Sequence, residues 1–293
     1  MSAVSINTQL TRVAGSDEAT IAARARKRAR QRKLAVWGAR AFLAILIIGG
    51  WQLLTDAKVV DKFFWGQPSG IVTQLRDWIN HGTQYGSIWT QIWVTMKEAL
   101  LGFLLGVTAG VVVGVALGQN RFLADVVQPY IKVMNAIPRI VLGALFTVAL
   151  GLGTGSKVLL AAVLVFFVVF FNAYQGVREV DQNLINNARV LGASKFQVTR
   201  NVVVPSALTW IIASLHVAFG FAIIGAIVGE FLGAQKGLGL VIANSQNNFN
   251  PDGVFAAMLI IAIIALTAEG LIGALERRLL AWRPPSTVEA GGL

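Results

Sequence analysis

Six apolar runs divide the chain: Ala35–Leu54, Ala99–Leu117, Ile137–Leu150, Val158–Tyr174, Ala207–Leu232 and Val254–Leu275. Crossing the hydrocarbon of a bilayer takes roughly 20 apolar helical residues. Five of the runs are near that length. The third is short, so its helix is expected to begin further back, in the amphipathic stretch from Asp125. Pro138 inside it implies a kink or break, because proline removes a backbone donor and clashes with the preceding turn. The second run carries Gly102, Gly106, Gly110, Gly114 and Gly118, one every four residues. On a helix they form a smooth stripe against which another backbone can lie closely, within one subunit or between two.

The polar interruption after the fourth run, Asp181 to Pro205, has its own pattern. Asp181 can cap a short helix with Leu184, Ala188 and Leu191 on one face. Gly192 supplies a bend. Ser194 with Gln197 has capping-box spacing and restarts a helix, and Pro205 suits the first turn of the next apolar one. A bent pair of amphipathic helices between two membrane spans is a docking surface.

This stretch resembles the cytoplasmic loop of ATP-binding-cassette (ABC) importer permeases, E-A-A-x3-G-x9-I-x-L-P. Ala188, Gly192 and Pro205 stand at that spacing, with Val202 and Val204 for the apolar pair; Asn186 and Asn187 replace the Glu and the first Ala. The likeness runs from about Gln67 to Trp282 and is nearest to the nitrate, sulfonate and taurine group. QPS at Gln67–Ser69, GLGTGSK at Gly151–Lys157, FFNAYQGVREVD at Phe170–Asp181, VGE at Val228–Glu230 and ERRLLAWRP near the end carry it. The resemblance implies an all-α, polytopic membrane protein of six transmembrane helices with the type I importer permease fold. It assigns ATPase coupling to Leu184, Asn187, Ala188, Arg189, Leu191, Gly192, Ala193, Ser194, Phe196 and Pro205. It also implies two cytoplasmic ABC ATPase subunits, a second permease copy and an extracytoplasmic solute-binding protein as partners. The expected domains are a basic tail (1–34), a permease domain (35–283) containing the loop 181–205, and a C-terminal tail (284–293).

Composition agrees with a membrane class. Of 293 residues 55% are apolar and 13% charged, and the mean hydropathy is +0.66. A soluble domain carries about 25% charge. Cysteine is absent, which excludes disulfides and thiolate metal sites. The formal charge of +11 reads as topology and lipid contact rather than nucleic-acid binding. Most of the 25 Lys and Arg fall in the two ends and the even-numbered connections, including the run Arg24–Lys33. By the positive-inside rule both termini and the 181–205 loop are then cytoplasmic; the resemblance implies that the membrane is a bacterial inner membrane. Trp78, Trp89 and Trp93 suit the outer interface, with Lys97 and Glu98 at the mouth of the second span.

Charged groups at membrane depth are rare and point to function. Arg139, Asn172 and Glu230 are candidates to line a translocation route, Arg139 being the best counter-charge for an anionic solute. Glu269 reads as the partner of a basic residue, Arg277 or Arg278, and His216 as an interhelical hydrogen-bond partner. No nucleotide or enzyme motif is present: GLGTGSK lacks the Gly-Lys-Ser/Thr ending of a phosphate loop. The chain is expected to be a transporter subunit without a cofactor, ATP being bound by the partner ATPase. Two other readings stay open: an importer permease for amino acids, aromatic acids or vitamin precursors, and an ion-coupled secondary transporter.

Overall fold

The computed structural model describes residues 3–279, with side chains from residue 28 onward, Arg121 excepted. The C-terminal tail 284–293 and the basic residues before Arg28 therefore lie outside the described side chains. The chain divides into two units, one ending at Val60 and one starting at Asp61. The first contains α1 (Ala3–Asp56), a single helix whose segment Arg28–Asp56 is long and apolar enough to cross a membrane.

The second unit is built from helices α2 (Lys62–Trp65), α3 (Pro68–Asn80), α4 (Ile88–Gln119), α5 (Arg121–Ala136), α6 (Arg139–Leu150), α7 (Thr154–Arg178), α8 (Gln182–Val190), α9 (Lys195–Val198), α10 (Val204–Leu232), α11 (Leu238–Asn247) and α12 (Pro251–Leu279). No strand forms among the described residues; an isolated bridge joins Thr83 and Gly86. With α1, five helices pass as membrane spans, and a sixth if α5 and α6 are one broken span. Those two meet at 86°, at Ile137–Pro138. The break expected at Pro138 is thus a sharp corner.

The centre is a three-helix layer, α4–α7–α10. The glycine stripe of α4 lies against α7 in constant register: Gly102 on Ala161, Gly106 on Val165, Gly110 on Val169, Gly114 on Ala173 and Gly118 on Val177. The register shows the two helices running parallel. A methyl group added at any of these glycines would come within 3.0 Å of α7. The stripe therefore serves close packing inside one subunit, where dispersion between closely spaced helices replaces the hydrophobic effect that lipid cannot supply. On its other side α7 meets α10, antiparallel, at Gly225 against Ala161 and Gly176 against Trp210. Leu160, Ala161, Val165, Val169 and Ala173 are consequently fully buried.

Helices extend beyond the apolar runs that announce them. α4 starts at Ile88, so Glu98 sits in its third turn and is buried rather than at a span mouth. Trp78 is also buried, unlike Trp89 and Trp93, which are exposed as an interface position requires. The Gln67–Ser69 motif starts α3, with Pro68 in its first turn. Asp252, at the head of α12, accepts the Gln67 N–H at 2.8 Å and seals that helix start.

Candidate functional site

Between α7 and α10 the chain makes a helical elbow. Asp181 Oδ1 accepts the Asn183 N–H at 2.8 Å and caps α8. Gly192 turns the chain at φ +85°, a left-handed conformation that costs a β-branched residue dearly. Ser194 and Gln197 complete a capping box, with bonds of 3.3 and 2.8 Å. α9 then passes through one π-turn, Thr199–Val203, straight into α10. Pro205 follows in the first turn of α10; it cannot donate to the carbonyl four residues back, and the widened turn accommodates that. The second arm of the elbow is therefore continuous with a membrane span, Lys195–Leu232. Motion of the elbow has a rigid lever to act on.

Ile185, Val198 and Val203 anchor the elbow in a cluster with Ala173, Val177, Val180, Ala207 and Ile211. Its far side is open: Val190, Leu191 and Phe196 are 86, 87 and 71% exposed, and Leu184 is exposed with them. Ala188 and Ala193 are half-buried; Asn187, Gly192 and Ser194 are exposed. A cleft of about 360 Å³ lies between the arms, lined by Ala188, Leu191, Gly192, Ala193, Gln197 and Val202 among others. Arg189 falls on the opposite side of α8, with Gln182 and Ile185. Bonds of one helix turn put those three residues on one stripe and Leu184, Ala188 and Leu191 on the other.

The three residues expected along a translocation route occupy different levels of α7. Arg139 opens α6 just past the corner, hydrogen-bonds Asn135 of α5 and lies 4.7 Å over the Phe167 ring. Asn172 is half-buried and donates to the Val168 carbonyl at 2.8 Å. Glu230 packs beside Lys157, ten residues or about 15 Å of helix rise from Phe167.

Glu230 belongs to a buried polar knot at the end of the unit opposite the elbow. Glu98, Lys157 and Glu230, from α4, α7 and α10, are 3, 0 and 0% exposed. Glu230 Oε1 accepts from Thr95 Oγ1 at 2.7 Å and Oε2 from the Gly239 N–H at 2.6 Å. Thr95 Oγ1 accepts the Leu238 N–H, and Gln91 Oε1 the Gly237 N–H, both at 2.8 Å. Glu98 lies beside Glu230 and Thr154, and its Oε2 is buried without a hydrogen-bond partner. Lys157 sits close enough to both carboxylates to oppose their charge, and donates to the Leu152 carbonyl at 2.9 Å. Here GLGTGSK is a tight turn that delivers one lysine, and Gly237 and Gly239 let the start of α11 sit directly on the Glu230 carboxylate. Sequence reasoning missed this assembly. Its trace was the polar spacing Gln91, Thr95, Glu98, one face of an otherwise apolar helix.

Glu269 pairs across helices rather than along its own: His216 of α10 holds it at 2.7 Å through Nδ1 and Glu276 at 3.1 Å through Nε2. Among the described residues no cluster is suited to a metal ion.

Comparisons with known proteins bear on this geometry. Residues 104–281 match the family described as "Binding-protein-dependent transport system inner membrane component". A protein of Bacillus subtilis (strain 168) bearing the name of an aliphatic sulfonates transport permease, SsuC, is 30% identical over 270 residues, covering 92% of this chain and 96% of its own. The riboflavin transport system permease RibX of Chloroflexus aurantiacus is 33% identical over 162 residues, 55% of this chain and 60% of its own. Among solved structures, the MetNI methionine ABC transporter in an inward-facing conformation aligns with TM-score 0.60 at 20% identity, over 66% of this chain and 97% of that one. That likeness is one of fold.

Proposed function

This chain belongs to the binding-protein-dependent transport system inner membrane components, the permeases of ABC importers, and from that premise we propose that it carries a small anionic solute of the sulfonate, taurine or nitrate kind. A separate binding protein delivers the solute from outside. Two copies of the chain enclose the route, and the ends of each, with the elbow, face the cytoplasm. Each elbow sits in a groove of one of two ATPase subunits, which bind and hydrolyse the ATP; this chain holds no cofactor. ATP binding draws the elbows together, and the route switches from inward to outward facing.

The observation that carries this reading is the open apolar side of the elbow. Leu184, Val190, Leu191 and Phe196 leave a cost in water that only a partner surface removes. Asn187, Ala188, Gly192, Ala193 and Ser194 belong to the same contact, and Pro205 starts the lever behind it. The test is the permease reconstituted with its ATPase and binding protein. Gly192→Val is expected to lower substrate-stimulated ATPase at least tenfold; unimpaired stimulation removes the coupling role.

The sulfonate relative supports an oxyanion as solute, and Arg139, whose guanidinium lies at the corner between α5 and α6, supports a counter-charge on the route. Arg139→Ala is expected to abolish uptake while ATPase assembly persists. Normal uptake by that variant removes Arg139 from the route, with Asn172 next to be tried. A second reading, a vitamin-like heteroaromatic solute, is favoured by the riboflavin permease. Binding of nitrate, sulfonates and riboflavin precursors to the cognate binding protein separates the two, and uptake that follows an ion gradient instead of ATP rejects both.

A further inference from the structure

Behind the elbow lies a cavity of about 780 Å³ that transport coupling leaves unused. Its wall joins the end of α4, the start of α5, the end of α7 and the inner faces of α8 and α9. Three cations from three elements line it, Arg178, Arg189 and Lys195, together with the amides of Gln119, Asn120 and Gln182. Among the described residues no carboxylate is in that wall. Of the acids next to Arg178 and Gln182 in the chain, Asp181 caps α8, and Glu179 Oε1 accepts from Gln175 at 2.7 Å. Arg178 gives one N–H to Tyr174 Oη at 2.9 Å and keeps the rest of its fork.

Three like charges around one concavity repel each other, and apolar walls such as Val177, Ile185 and Val198 sharpen their field. α5 begins at this wall, adding the positive end of one helix dipole. A concavity of this size holds a small organic ligand rather than a lone water. We propose that the cavity binds a phosphate-class anion, supplied by a phospholipid head group or free in solution. Arginine and lysine with amide donors are the groups that recognise tetrahedral oxyanions. Because Gln182 and Arg189 face the anion while Leu184 and Leu191 face outward, α8 separates the two surfaces, and the bound anion holds it in place. The binding claim stands whether or not the outer surface meets an ATPase.

The test uses the full chain in lipid nanodiscs. In discs of phosphatidylcholine, inorganic phosphate is titrated calorimetrically; in discs containing phosphatidylglycerol, native mass spectrometry reads the lipid retained. The first arm reports a free anion, the second a head group. The double variant Arg189→Gln/Lys195→Gln is expected to bind at least tenfold more weakly in whichever arm the wild type binds, and Arg76→Gln, on α3, to bind as the wild type does. Arg189→Lys keeps the charge and is expected to stay within a few-fold. If the double variant fails to fold, Lys195→Gln alone is read against the same scale. No binding in either arm overturns the proposal, as does binding unchanged by the variants. Loss of ATPase association by the double variant, with no anion bound by the wild type, overturns it too and assigns the cations to an acidic protein surface.

Discussion

At one end of α4, α7 and α10 the chain buries Glu98, Lys157 and Glu230; at the other it leaves Val190, Leu191 and Phe196 in the open. The inversion is instructive. In the knot, groups that water would keep are removed from it, and Glu230 is held by partners from beyond its own helix, Thr95 and Gly239, as Gln91 holds Gly237. In the elbow, groups that water rejects are left in it; its turns are set by bonds a few residues apart, Asp181 to Asn183 and Ser194 to Gln197, and its inner side alone is tied to the spans, by Ile185, Val198, Val203 and the Thr199–Gln119 bond. A region with few long-range ties opens and shifts at small cost. A buried charge cluster does not, because separating its members strands a charge in a low-dielectric interior. The knot thus ties three helices at one end, while the outer side of the elbow is left uncovered at the other.

Four substitutions bear on that contrast. The largest expected effect is at Lys157: Lys157→Ala removes the buried ammonium that faces the Glu98 and Glu230 pair and is expected to destabilise the fold by about 3–5 kcal/mol. Denaturant unfolding of the purified chain measures it, and an unaltered midpoint would mean that the knot clamps nothing. Next comes the shared packing between the two ends. Gly106→Val drives a side chain into the Ala162 carbonyl and Val165, and is expected to cost about 1–3 kcal/mol on the same scale. Gly192→Val meets no neighbour within 4 Å, so its cost is confined to the left-handed backbone, about 1–2 kcal/mol. Its transport phenotype should far exceed its stability phenotype, the reverse of Lys157→Ala. Smallest is Leu191→Ser: unfolding is expected to move by no more than about 0.5 kcal/mol, since the side chain is free. Substrate-stimulated ATPase should nonetheless fall, and equal effects on both readouts would erase the distinction between the ends.

Much of the elbow was legible along the chain. Asp181, Gly192 and the Ser194–Gln197 pair are local instructions, satisfied by neighbours three or fewer residues away. The same holds for the corner at Pro138, though its angle of 86° was not. The resemblance grouped Arg189 with the docking residues, whereas helical spacing sets it apart from Leu184, Ala188 and Leu191, and the structure puts it in the wall of the cationic cavity. The knot was hardly legible at all. Glu98 looked like a mouth residue and Lys157 like part of a glycine-rich loop, because the knot is assembled from distant parts of the chain, Gln91 and Gly237 lying 146 positions apart.

The sequence by itself determined the class of protein, the number of apolar runs and the bent helix pair, since composition, helix caps and backbone preferences act over short distances. Only the tertiary structure decided that the glycine stripe faces α7, that Glu230 is sealed among partners, and that three cations share one cavity. Those outcomes depend on which helices meet and in what register. Side-chain volume and charge settle such matters across helices, and no stretch of chain contains both sides of the contact.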